Sequence, residues 1–110
     1  YGLNKKAQMP LFRILKKVIF EDKALSEDDI SILVDLTKEV FTAIKTEISL
    51  KDFWSNPSAQ IRLKGRLQKD ILLSEEFYEL PNITTEYKNI ISKLVEFANA
   101  NNDTIILTEL

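Results

Sequence analysis

The stretch from Ser26 to Ile48 constrains the fold more than any other. Ser26 suits a helix N-cap, and Glu27, Asp28 and Asp29 fill a first turn where the helix dipole favours negative charge. Ile30, Leu33, Val34, Val40, Phe41, Ile44 and Ile48 then recur at helical spacing, which predicts one long amphipathic helix over 27–48. A helix of that length has to bury its apolar stripe against other elements, and the rest of the chain offers more helices to do it.

Pro10 can open a first helix over 10–20, with Leu11, Ile14, Leu15, Val18 and Ile19 on one face. Asn56-Pro57 signals a third start, capping a helix over 57–73 with Ala59, Leu63, Leu67 and Ile71 on one side. Ser74-Glu75-Glu76 resembles a further cap and a short helical turn, and Pro81 interrupts. Thr84 or Thr85 then caps a last helix over 84–100 carrying Tyr87, Ile90, Ile91, Leu94, Val95 and Ala98, closed by Asn99, Asn101 and Asn102. Thr104-Ile105-Ile106-Leu107 has strand-like composition and is expected as an extended, docked tail. The fold expected is all-α: one domain of 110 residues, a small irregular bundle of about four main helices with a short extended C-terminal tail. The start at Tyr1 is read as that of a fragment of a longer chain. No apolar run is long enough for a membrane span.

The chain has no His and no Cys, which removes the Ser-His-Asp, Cys-His and His- or Cys-based zinc constellations. Gly2 and Gly65 are its only glycines, so neither type of Gly-rich phosphate loop can be built. These absences point to a domain without catalytic residues, metal ligands or a cofactor of its own.

Charge is segregated although the net charge is only −2. Residues 1–20 hold five bases and no acid, and residues 21–50 three bases against eight acids. Residues 51–73 hold five bases against two acids, and residues 74–110 two against seven. The first and third helices are therefore basic and the other two acidic. Arg62, Arg66 and Lys69 share one face of the third helix by spacing, with Lys64 pointing elsewhere, and Arg13, Lys16 and Lys17 form a matching stripe on the first. Stripes on one side of the domain would make a phosphate-sized groove; otherwise they are solvated faces paired with the acidic helices beside them.

Phe53 and Trp54 stand together just before the Asn56-Pro57 cap. Phe53 reads as a core anchor of the corner, whereas Trp54 can serve either the core or a partner interface. Gly65 lies mid-helix at a cost of about 1 kcal/mol relative to Ala, which suggests a close approach there, inside the domain or by a partner.

The run Asp52-Phe53-Trp54-Ser55-Asn56-Pro57-Ser58-Ala59-Gln60-Ile61-Arg62-Leu63-Lys64-Gly65-Arg66-Leu67 resembles the closing helical segment of the motor and restriction subunit of type I restriction-modification enzymes. That segment has the form F-W-x-N-P-x-x-Q-x-x-L-[KR]-G-x-[IL]. The likeness is best over residues 28–75, continues in Ile71-Leu72-Leu73, and is greatest to the IC-type systems. The resemblance implies a C-terminal accessory domain of an ATP-dependent DNA translocase and endonuclease of the bacterial cytoplasm. ATP and Mg would be used by other domains of the parent, whose P-loop and nuclease carboxylates have no counterpart in this sequence. The implied partners are the methyltransferase and specificity subunits and DNA. Phe53, Trp54 and the Leu63/Leu67 face would organise the fold, leaving Arg62, Lys64, Arg66 and Lys69 for DNA or partner contacts. The alternative is a pure protein–protein docking module with no role on DNA.

Overall fold

The computed structural model describes residues 2–109, and these form five helices and no strand. Helix α1 spans Gln8–Phe20, α2 Glu27–Ile48, α3 Pro57–Arg66, α4 Ile83–Ala100 and α5 Asn102–Leu107. A 3-10 turn at Phe53–Ser55 leads into α3, and a π-helical segment at Leu67–Leu72 continues it. No helix is long and apolar enough to cross a membrane.

The α2 start is the one expected. Ser26 Oγ accepts from the Asp29 N–H at 3.1 Å, while Asp29 Oδ2 accepts from the Ser26 N–H at 3.2 Å, a reciprocal capping box. Asn56 likewise accepts from the Ala59 N–H at 3.2 Å, with Pro57 in the first turn of α3. The start of α1 is set earlier than Pro10. Asn4 Oδ1 accepts from the N–H groups of Lys6 and Ala7, and Gln8 Oε1 accepts from the Asn4 N–H at 2.8 Å. Pro10 thus falls at the third helical position, where an N–H would have no intrahelical partner.

Three further boundaries differ from expectation. The third helix is α-helical only to Arg66; beyond it the ladder widens, with the Leu73 N–H reaching Gln68 O at 2.9 Å, five residues back. Ser74 does not cap, since its hydroxyl donates to Ile71 O at 2.6 Å, and the helical turn that follows is a single α-turn, closed by the Tyr78 N–H on Ser74 O at 2.9 Å. Neither Thr84 nor Thr85 caps α4: Asn82 precedes it in the left-handed region (φ 64°), and its side-chain amide donates to Ile19 O at 2.8 Å, tying the start of α4 to the end of α1.

The tail is helical, not extended. With no sheet to join, a strand at 104–107 would leave its backbone groups unpaired, whereas a helix satisfies them internally. Asn101 closes α4 through its N–H and side-chain amide on Phe97 O, both at 2.9 Å, and the chain turns at once into α5, burying Ile105.

Helix α2 is the hub. It packs against α1, the 3-10 turn, α3, the π segment and α5, and α4 packs against α1, the π segment and α5. The order around the bundle is therefore α1, α2, α3 with its π segment, then α4. Because α2 has neighbours on several sides, it buries Leu36, Thr37, Ala43 and Glu47 as well as most of the expected stripe. Buried Thr37 is satisfied by donating to Leu33 O at 2.7 Å. The core also takes Leu11, Leu15 and Ile19 from α1, Leu63 and Leu67 from the third helix, Phe77 from the following turn, and Ile90 and Leu94 from α4.

Candidate docking groove between α3 and α4

The bundle order puts the basic helices α1 and α3 at opposite corners, each flanked by the acidic helices α2 and α4. Lys17 lines a groove between α1 and α4, Lys64 and Lys69 line one between α3 and α4, and Arg66 lines one against α2, so none of these grooves gathers the two basic sets.

The proposed Arg62, Arg66 and Lys69 stripe is divided as well. Arg62 Nε donates to Glu47 Oε1 at 2.8 Å, across to a carboxylate held in the wall of α2. Arg66 shares a shallow groove against α2 with Lys38, Glu39 and Asp70. Lys69 lies on the other side, facing α4 with Lys64. The π segment accounts for the division: its wider turn takes one more residue than an α turn, which carries Lys69 away from Arg66 and toward the side of Lys64.

The corner residues behave differently from one another. Phe53 is buried, as expected. Trp54 is partly buried and stacks edge-to-face on Phe53, with ring centroids 4.8 Å apart. Its indole N–H donates to Asn102 Oδ1 at 2.8 Å, which pins α5 to the corner. Gln60 secures the same corner by donating to Trp54 O at 3.0 Å. Trp54 is thus committed to an internal contact.

Between α3 and α4 lies an open groove of about 420 Å³ lined by Ile61, Lys64, Gly65, Gln68, Lys69, Lys88, Ile91 and Ser92. A Cβ added to Gly65 would meet nothing within 4 Å, so no element of this domain crosses close to it. Ile61 is 69% exposed on the groove wall. Among the described residues, Lys64, Lys69 and Lys88 make no ion pair; the two pairs there are Arg62–Glu47 and Lys23–Glu21. The larger α1–α4 groove, about 680 Å³, sets Lys17 and Lys93 among Glu21, Glu86 and Glu96 over Ile14, Val18 and Phe97, so its rim has mixed charge. The sequence points to Lys64, Lys69 and Gly65 but not to Lys88 or Ile61, whose role depends on which helix α3 faces.

No group of three or more potential ligands able to hold a metal occurs among the described residues. The carboxylates do interact at one place. Partial burial, and then the Glu76 and Asp35 carboxylates, raise Glu39 above its ordinary value of 4.5. A raised carboxyl favours its protonated form in the folded state, so its stabilising contribution is present at acid pH and is lost as the pH rises through the folded value. Glu39→Gln should therefore raise the melting temperature at neutral pH, and the gain should vanish below about pH 4.5. Thermal melts at both pH values check this; a gain that persists in acid would show that the Glu39 charge is not its source.

The chain matches no protein-family model, no curated protein and no solved structure.

Proposed function

We propose that this chain is a non-catalytic assembly domain that docks on a partner through the α3–α4 groove. The setting we propose is the one its Asp52–Leu67 run resembles, the accessory helical domain of a type I restriction motor subunit joined to the methyltransferase core and close to DNA. The observation that carries the docking reading is the groove itself: an exposed Ile61, a glycine floor that the fold leaves uncovered, and three lysines without ion-pair partners. Restriction and translocation, with their ATP and Mg, would be the work of other domains of the parent.

A second reading, direct contact with DNA phosphates, is favoured by α1. Residues 1–20 contain no acid, and Arg13, Lys16 and Lys17 make no ion pair among the described residues. Charge reversal separates the two in the full-length subunit. Lys64→Glu with Lys88→Glu should weaken assembly with the partner subunits while leaving DNA affinity and its salt dependence unchanged. Arg13→Glu with Lys17→Glu should lower DNA affinity and flatten that dependence if α1 touches phosphates. Intact assembly in the first variant would defeat the docking reading.

A further inference from the structure

We infer that the α3–α4 groove receives an acidic amphipathic helix of a partner protein, seated with a small residue over Gly65 and with carboxylates against Lys64, Lys69 and Lys88. This rests on the docking reading and specifies the partner's chemistry.

Gly65 is the first reason. It stands next to last in α3, where the helix runs on into the π segment, and inside such a continuous helix it is less favourable than Ala by about 1 kcal/mol. Its backbone is not in the left-handed region, and an added Cβ would touch nothing, so neither strain nor packing within the fold calls for glycine. What the missing side chain supplies is a flat floor on which another backbone can come close. The groove walls are the second reason. Ile61 and Ile91 give an apolar track, with Ile91 at its buried base and Ile61 open to water. The third is charge. No carboxylate is among the described residues lining the groove, in a chain whose net charge is −2, whereas the α1–α4 and α2–π grooves both contain acids.

An apolar track with cationic edges matches a helix whose apolar face is flanked by Glu or Asp. A third helix lying between α3 and α4 would approach at the usual interaxial distance of about 8–10 Å, which small residues at the contact bring to its lower end. A nucleic-acid backbone fits less well, because Ile61 would face phosphates and gain nothing from them.

The test uses the whole chain, labelled for amide NMR, and three probes. The first is a helical peptide of about five turns with Leu and Ala on one face, Ala at the centre and Glu flanking that face. The second carries Gln in place of Glu, and the third is a short duplex DNA. The Glu peptide should bind and shift amides in 61–69 and 88–92, more weakly as salt is added, and the Gln peptide should bind less tightly. Gly65→Ala should raise the melting temperature by about 4 °C yet weaken the Glu peptide about tenfold, equivalent to about 1.4 kcal/mol. Lys64→Glu should weaken it similarly at unchanged stability.

Unmoved groove amides, an affinity unaffected by Gly65→Ala, or tighter binding of the duplex at these residues would each overturn the inference. If the Glu peptide fails while Lys64→Glu with Lys88→Glu still disrupts assembly of the full-length subunit, the acidic helix is wrong and the docking reading stands. If assembly is also intact, both fall.

Discussion

Replacing Phe77 with Ala should destabilise the domain by about 3–5 kcal/mol, the range for removing a large aromatic from a closed core. Phe77 is fully buried, yet it comes from the turn between the π segment and α4 and not from a helix. That turn is held locally by hydrogen bonds of 2.9–3.3 Å: Phe77 and Tyr78 N–H to Ser74 O, Leu80 N–H to Phe77 O and Ile83 N–H to Leu80 O. Bonds of this kind contribute only about 1 kcal/mol net each. Phe77 is the apolar anchor that fixes where the turn lies, and with Asn82 on Ile19 O it sets how α4 returns along α1. A domain of this size has a total stability of about 5–15 kcal/mol, so the loss would remove a large part of it. Urea unfolding followed by helical circular dichroism and by Trp54 fluorescence measures the effect. Phe77→Leu, which keeps most of the volume, should lose about 1.5 kcal/mol or less. A loss under about 1 kcal/mol for Phe77→Ala would mean that the turn closes over the gap and is not anchored by the ring.

Phe77 also shows where sequence reasoning stops. The helices are legible because caps and periodicity are local: Ser26 with Asp29, and Asn56 with Pro57, act within one turn of the chain, and both perform as their spacing predicts. Asn4 is a local signal too, but its cap precedes a helix whose Pro10 offers a more conspicuous start. The π segment leaves no such mark. Its wider turn presents Leu67, Ile71 and Leu72 together to the core, a tertiary demand that resets the helical register. The candidate groove inherits that obscurity. Spacing on an ideal α-helix groups Lys69 with Arg62 and Arg66, whereas the π turn and the position of α4 group it with Lys64 and Lys88. Similarly, Ile105 and Ile106 have strand-like composition, and only the absence of a sheet decides that they form a helix. Gly65 is the opposite case. The sequence marks it as unusual, and the structure removes the internal explanation, leaving the external one.

Arg62→Glu should be the most disruptive charge change in the molecule, through folding and not through any ligand. Arg62 is the one member of the Arg62, Arg66 and Lys69 set that is ion-paired among the described residues, and its partner Glu47 sits in the packed face of α2 with a side chain only 9% exposed. The Arg62 side chain is 58% exposed, so water screens the guanidinium and the pair itself is worth little. Removing the guanidinium is a different matter, because it leaves a nearly buried carboxylate without its hydrogen-bond donor. Arg62→Ala should cost about 1–3 kcal/mol. Arg62→Glu, which sets a second carboxylate against Glu47, should cost about 3 kcal/mol or more. Lys64→Glu, two residues along the same helix and facing solvent, should change stability by about 0.5 kcal/mol or less. The paired replacement of Arg62 by Met and Glu47 by Leu should recover most of the loss, since an apolar pair of similar volume has no charge to desolvate. Denaturant titration of Arg62→Met, Glu47→Leu and the double variant completes the cycle. A double variant as unstable as Arg62→Glu would mean that the uncompensated Glu47 carboxylate is not the source of the loss. With the expected result, any fall in partner or DNA binding on reversing Arg62 reports a weakened α2–α3 junction, and among charge reversals those at Lys64, Lys69 and Lys88 report on the groove.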